Sequence, residues 1–124
     1  MRFLLVALFV ALVGSGTSVL AYSPEEFAAD DAEIDALRAA GNPAAAADFA
    51  DRAYRRASAE LGPLSIPSIH LVTRKANMLK LMGDMIGAVE TLQPVHAAAL
   101  ATLGRYNPQT ANLALSLGIA LADA

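Results

Sequence analysis

Few residues in this chain have the types and spacings that catalysis or metal binding requires. The two histidines, His70 and His96, stand 26 residues apart, and neither has a second histidine at a four-residue step or a glutamate in a metalloprotease pattern. No Gly-x-Ser-x-Gly motif marks a nucleophilic serine, and cysteine is absent. The sequence therefore predicts a protein that is not an enzyme, with no catalytic residue, no cofactor and no metal ion.

An acidic run is the other feature that could bind a metal ion. It comprises Glu25, Glu26, Asp30, Asp31, Glu33 and Asp35. A calcium loop needs convergent oxygens at fixed spacing and usually a turn glycine, and the run offers neither. Carboxylates at the beginning of a helix complement the helix dipole, and we expect that role for the run.

The basic residues form no patch that would bind nucleic acid. The formal net charge is −3, and the densest basic cluster is Arg52, Arg55 and Arg56. At helical spacing we expect this cluster to pair with the neighbouring acidic residues Asp48, Asp51 and Glu60. The sequence therefore predicts no nucleic-acid partner.

The first 21 residues have the three parts of a secretory signal. Arg2 precedes an apolar run over residues 3–13, small residues follow, and Val19-Leu20-Ala21 completes the pattern. The apolar run is shorter than the roughly 20 residues that a bilayer-spanning helix needs. We expect cleavage after Ala21 and a periplasmic or extracellular product. An uncleaved membrane anchor through residues 3–21 is the alternative.

The remainder of the chain repeats at an offset of 42 residues, and its alanine and leucine content favours helices. The offset relates Leu61-Gly62 to Leu103-Gly104, Gly41 to Gly83, and Ala46 to Ala88. Gly41 and Gly83 are expected to end the first helix of each unit, and Asn42 and Asp84 to cap the second. The second helices are predicted over Pro43–Leu61 and Met85–Leu103, and the next first helices near Ser68 and Gln109.

Side-chain sizes predict how the helices pack. Small residues are expected where paired helices cross: Ala46, Ala53, Ala57, Ala76, Ala88 and Ala99. Larger apolar residues at steps of three and four are expected between them: Phe49, Tyr54, Val72, Leu79, Met82, Val89, Leu92 and Val95. One such unit cannot bury its apolar face alone, so the units are expected to stack.

The joining loop, residues 103–110, resembles that of a known family. Its Leu103-Gly104, Pro108 and Thr110 are similar to the loop of the 42-residue tetratricopeptide repeats found in kinesin light chains and in many bacterial proteins. Asn107 stands where the family usually has histidine. The resemblance covers residues 31–124. It implies an all-α fold of antiparallel helix pairs stacked as a short α-solenoid, with units at 31–61, 68–103 and 109–124 after an N-terminal signal helix.

The third unit contains a first helix alone. Its apolar face carries Leu113, Leu117, Ile119 and Leu121, unlike the polar outer face of a terminal cap. We expect either a fragment of a longer array or an end that a partner covers.

The resemblance also implies a concave groove, lined by first helices, that holds peptide segments of another protein. The groove stripe is expected to comprise His70, Thr73, Asn77 and Lys80 in the middle unit and, at the 42-residue offset, Asp31, Asp35 and Arg38 in the first. Asn77 would bind a peptide backbone, and Lys80 or Arg38 a carboxylate. A solvated polar face is the simpler alternative. The third-unit face carries Asn112, Leu115 and Ile119.

These features predict an exported scaffold that binds a protein or peptide and contacts a membrane only if the N-terminal segment stays attached. Two alternatives remain open. Similar repeats often precede catalytic domains, so the chain is alternatively the recognition segment of a larger enzyme. An uncleaved signal would instead make it a membrane-anchored envelope assembly factor.

Overall fold

The computed structural model describes residues 22–124, and the predicted secretory signal lies outside these residues. The described chain forms five helices: α1 (Pro24–Ala39), α2 (Pro43–Leu61), α3 (Ile66–Leu81), α4 (Met85–Leu103) and α5 (Pro108–Asp123). Residues 22–124 contain no strand. The all-α prediction is confirmed, and so are the bounds of both second helices, α2 and α4.

Glycine ends the first helices through a two-bond cap. Gly83 has a φ of 80°, and its N–H donates to the carbonyl of Lys80 at 2.9 Å. The next N–H, that of Asp84, donates to the carbonyl of Leu79 at 2.9 Å. Gly41 repeats both the φ and the pair of bonds. This is the Schellman arrangement, which requires a left-handed residue.

Polar caps begin the helices, and two of them define the starts that were predicted near Ser68 and Gln109. Ser65 caps α3 by accepting a bond from the N–H of Ser68, and Asn107 caps α5 by accepting from that of Gln109. These first helices therefore begin at Ile66 and Pro108, within two residues of the predicted positions. Helix α1 begins at Pro24, before the predicted unit start at residue 31, because Ser23 caps it.

The joining loops are held by buried hydroxyls. The side chain of Ser68 donates to the carbonyl of Gly62 at 2.8 Å, and that of Thr110 donates to the carbonyl of Ala99 at 3.4 Å. Both hydroxyl residues are buried. The repeated serine or threonine thus adds a side-chain hydrogen bond to a carbonyl near the end of the preceding helix. The same two carbonyls also accept bonds from the backbone N–H groups of Ser65 and Gly104.

The helices stack so that the first helices lie on the inside. Each helix packs on the next one along the chain, and α1 and α5 also pack on α3. No Cα atom of α2 comes within 8 Å of a Cα atom of α4. Because the first helices approach one another and the second helices do not, the stack curves with α1, α3 and α5 on its concave face.

Two apolar clusters form the core, and α3 contributes to both. The first joins Leu71 and Met78 of α3 to Ile34 of α1 and to five alanines of α2: Ala46, Ala47, Ala50, Ala53 and Ala57. The second joins Ile69, Val72 and Ala76 of α3 to residues of α4 and α5: Ala88, Leu92, Ala99, Leu113, Leu117 and Ala120. The helices of the two complete units are thus connected through α3.

The predicted packing residues are nearly all inside. All six predicted small residues are buried, and so are Val72 and Leu92. Four of the other large residues are half-buried against a cluster: Tyr54, Leu79, Val89 and Val95. Phe49 packs in the same way against the first cluster. Met82 is the exception, with 40% of its surface exposed, because it lies at the cap of α3, beyond the last covered turn.

We expect Gly83→Ala to lower the free energy of unfolding by about 1–2 kcal/mol, because an L side chain is strained in the left-handed region. No atom lies within 4 Å of a Cβ added there, so the loss would be conformational and not steric. Gly118→Ala is the matched control: this helical glycine also has open space around it, and alanine there should add about 0.5–1 kcal/mol. Urea denaturation of both variants measures the difference, and equal effects would contradict the assigned cap.

Candidate functional site

The predicted groove stripe lies on helices of the concave face. Asp31, Asp35 and Arg38 are on α1, whereas His70, Thr73, Asn77 and Lys80 are on α3. The two helices pack on each other. The structure therefore places the seven predicted residues on adjacent first helices. Some of them bond to other residues of the fold, whereas others are free to contact a ligand.

Ion pairs and hydrogen bonds between α1 and α3 occupy part of the stripe. The Nε2 of His70 lies 2.8 Å from Oδ1 of Asp31, and the ring donates here because a carboxylate only accepts. The guanidinium of Arg74 pairs with Asp35, and its Nε lies 3.7 Å from Asp31. Phe27 sets its ring edge-on to His70 at 5.2 Å. These contacts hold α1 and α3 together.

The pairing with Arg74 changes the pKa of the Asp35 carboxyl group. The hydrogen bond and the positive charge of Arg74 lower the pKa of Asp35 below its ordinary value of 3.8. Arg38, on the same helix, lies 3.7 Å from Asp35 and adds to the effect. Asp35 thus contacts two arginines within the fold, and Arg38 contacts Asp35.

Lys80 is used between α3 and α5. Its Nζ donates to the carbonyl and to the hydroxyl of Ser116, at 3.0 and 3.1 Å. Burial lowers the pKa of Lys80. Thr73 donates its hydroxyl to the carbonyl of Ile69 in its own helix, at 2.8 Å. Lys80 therefore links the first helices α3 and α5. Asn77, on the same stripe, is exposed.

A hollow of about 340 Å³ opens between α3 and α5. Its lining residues are Ile66, Ile69, His70, Thr73, Gln109 and Asn112. Ile66 is 65% exposed and offers an apolar surface beside the amides of Gln109 and Asn112. Mixed surfaces of this kind suit an extended peptide, whose backbone needs hydrogen bonds and whose side chains need apolar contacts.

Sequence reasoning missed several residues of this hollow. Ile66 lies one turn before His70 on the same helical face, so extending the stripe by four residues would have found it. Gln109 follows the cap of α5, and a corrected helix start would have placed it beside Asn112. Arg74 lies outside the hollow and pairs with Asp35, and it was missed because it lies off the 42-residue alignment with Asp35.

The acidic run has several roles. Glu25 and Glu26 lie in the first turn of α1, where the dipole prediction applies. Asp31 and Asp35 lie farther along and pair with α3, so for them the prediction is wrong. Asp30 accepts a hydrogen bond from the hydroxyl of Tyr22 at 2.5 Å. Burial and this bond raise the pKa of Tyr22.

The basic cluster of α2 is paired, partly as predicted. Arg55 lies 3.0 Å from Asp51 in its own helix. Arg56 instead reaches Glu26 of α1, and Arg52 covers the ring of Phe49 at 5.6 Å. A small hollow of about 170 Å³ between α1 and α2 is bordered by Arg52 and Arg56. The hollow between α3 and α5 is larger and is lined by amides as well as apolar side chains, so it is the better candidate site.

Comparison with protein-family models, curated proteins and solved structures finds no match for this chain. The stack of five helices is compatible with a helical repeat, but no family model identifies which repeat it is. Within residues 22–124, no helix combines the length and apolar character needed to cross a bilayer. No cluster of three potential metal ligands occurs in that same part of the chain.

Acid should weaken the α1–α3 contact. Because the folded pKa of Asp35 is depressed, its stabilising effect is fully present above the ordinary pKa of 3.8 and is lost as the pH falls through the lower folded value. We expect Asp35→Asn to reduce stability at pH 7 and to flatten the pH dependence below about pH 4. The free energy of unfolding, measured from pH 7 to pH 2.5, tests this.

Asp48→Asn is the matched control, because Asp48 is exposed and takes part in no ion pair among residues 22–124. It should leave both the stability at pH 7 and the acid dependence nearly unchanged. An Asp35→Asn variant that titrates like the parent chain would show that the Arg74 pair contributes nothing in solution.

Proposed function

We propose that this protein is an exported, non-catalytic helical-repeat scaffold of tetratricopeptide type that binds an extended segment of another protein on its concave face. The observation that carries the proposal is the mixed hollow between α3 and α5. It lies where two first helices adjoin, on the inside of the curve.

Recognition is assigned to amides and not to charges. His70, Asp35 and Lys80 already have partners within the fold, so a ligand would have to displace those contacts. Asn77 and Asn112 are exposed, and each amide supplies donors and acceptors that match a peptide backbone. The ligand is therefore an extended, largely uncharged segment whose apolar side chain rests on Ile66.

The position of Tyr22 supports the proposed export. Its side chain is 3% exposed, and its ring lies 5.3 Å from the guanidinium carbon of Arg56. Cleavage after Ala21 would make this anchored tyrosine the first residue of the mature chain. The packed domain would then keep every core residue that the structure describes.

Blocking the hollow should abolish peptide binding. Peptides selected from a random-sequence library on the parent protein should bind at least about tenfold more weakly to Asn112→Arg, since a long charged side chain would fill the site; tenfold corresponds to ~1.4 kcal/mol. The control, Gln93→Arg, places the same side chain at an exposed position of α4. Equal binding by both variants, or no selectable peptide, would refute the proposed groove.

Processing should produce a chain that begins with Tyr22. Mass spectrometry of the protein recovered outside the cytoplasm of the producing cell should give the mass of residues 22–124. Ala21→Arg should block cleavage, because the peptidase requires a small residue at that position, and Ala28→Arg is the control with the same added charge. Recovery of a product that retains residues 1–21 would favour the anchored alternative.

A further inference from the structure

The hollow between α3 and α5 has two walls of different chemistry. Its α5 wall contributes the amides of Gln109 and Asn112, and its α3 wall contributes the polar side chains of His70 and Thr73. An amide side chain both donates and accepts hydrogen bonds. What the α3 wall offers to a ligand depends on where the hydrogens of its imidazole and its hydroxyl already bond.

The hydrogen of the neutral His70 ring bonds to α1. Nε2 lies 2.8 Å from Oδ1 of Asp31, and a carboxylate only accepts, so the ring hydrogen is on Nε2 and Nδ1 is an acceptor. Among residues 22–124 no donor bonds to Nδ1, and Nδ1 is not one of the buried atoms that lack a partner. It is therefore open to solvent, on a side chain that lines the hollow and is 42% exposed.

The hydrogen of the Thr73 hydroxyl also bonds within the fold. It is donated to the carbonyl of Ile69, one turn earlier in α3, at 2.8 Å. The hydroxyl oxygen keeps its lone pairs and can still accept a bond from a ligand. Thr73 follows His70 by three residues, so the two acceptors lie on the same face of α3.

We propose that the α3 wall determines specificity by accepting hydrogen bonds and donating none, so that it binds backbone N–H groups of the ligand through Nδ1 of His70 and Oγ1 of Thr73. The inference rests on the proposed peptide binding, and it orients the segment within that site. Backbone N–H groups face α3, and carbonyls face the amides of Gln109 and Asn112. A ligand bound to Nδ1 leaves the bond between Nε2 and Asp31 intact, so it displaces no contact of the fold.

The same wall excludes other ligand groups. A carbonyl or carboxylate oxygen placed against it would meet lone pairs with no hydrogen between them, and burying unsatisfied acceptors costs free energy. The terminal carboxylate of a peptide is therefore not bound by the α3 wall. Proline has no N–H, so it is excluded from the position of the segment that faces His70.

Protonation of His70 would reverse the preference at one of the two acceptors. An imidazolium donates from both nitrogens, so Nδ1 would repel the N–H group that it binds when the ring is neutral. The charged groups around the ring are Asp31 and Asp35 of α1 and Arg74 of α3, whereas the α5 wall contributes amides alone. We therefore expect the affinity for the peptide to fall as the ring becomes protonated.

Backbone methylation of the ligand tests the proposed orientation. In a peptide selected on the parent protein, each backbone N–H is replaced in turn by N–CH3. We expect one or two of these changes to weaken binding by about tenfold or more, and the others to have little effect.

Variants of the α3 wall test the two acceptors separately. Thr73→Val keeps the shape and loses the acceptor, so it should weaken binding by about fivefold or more, whereas Thr73→Ser should bind like the parent. His70→Phe should lose a similar factor. His70→Gln should restore most of the affinity, because its amide oxygen accepts, and should remove the pH dependence, because an amide does not titrate. Thr73→Val breaks no bond between helices, so it stays folded.

NMR of the imidazole nitrogens in the free protein provides a measurement that needs no ligand. His70 should carry its hydrogen on Nε2. A hydrogen on Nδ1 would overturn the acceptor assignment and leave peptide binding standing, and so would peptide binding that Thr73→Val and His70→Phe do not change. The absence of a selectable peptide, or equal binding by Asn112→Arg and Gln93→Arg, would instead refute the proposed function, and this inference with it.

Discussion

The burial of α3 on two sides is the constraint on which the rest of the structure depends. Leu71 faces the first cluster and Val72 the second, so the two apolar faces of one helix connect both units. Burying one such side chain is worth about 1.5–3 kcal/mol, whereas an exposed ion pair contributes at most about 1 kcal/mol. Apolar packing therefore places α1 and α5 on either side of α3, and the polar contacts adjust to that placement.

The concave face follows from the same packing. Because first helices approach one another and second helices do not, side chains of α1, α3 and α5 meet across narrow gaps. Where the facing groups are opposite charges, as at Asp35 and Arg74, they pair and close the gap. Where amides such as Asn112 meet exposed isoleucine, the gap stays open as a hollow. The difference between a structural contact and a binding surface is thus set by which side chains the stack brings opposite each other.

The sequence predicted local structure better than contacts between units. Gly83 and Asp84 could be read as a helix end and a cap because both act within a few residues. The contact between His70 and Asp31 could not be predicted from residues close in sequence. Asp31 and Asp35 contact residues 39 positions later, and the repeat offset is 42. Equivalent residues align at 42, but residues in contact are shifted by almost one turn, because neighbouring first helices are staggered. That stagger depends on how all the helices pack.

The two ends of the stack differ in how much apolar surface they leave open. On α1, the positions equivalent to Leu71 and Met78 are Ala29 and Ala36, and both are exposed beside the charged Glu33. Alanine loses little by facing water, so this end needs no cover. On α5, Leu121 is exposed without a charged neighbour before Asp123. The α5 end therefore exposes a large apolar side chain, whereas the α1 end exposes alanines beside a glutamate.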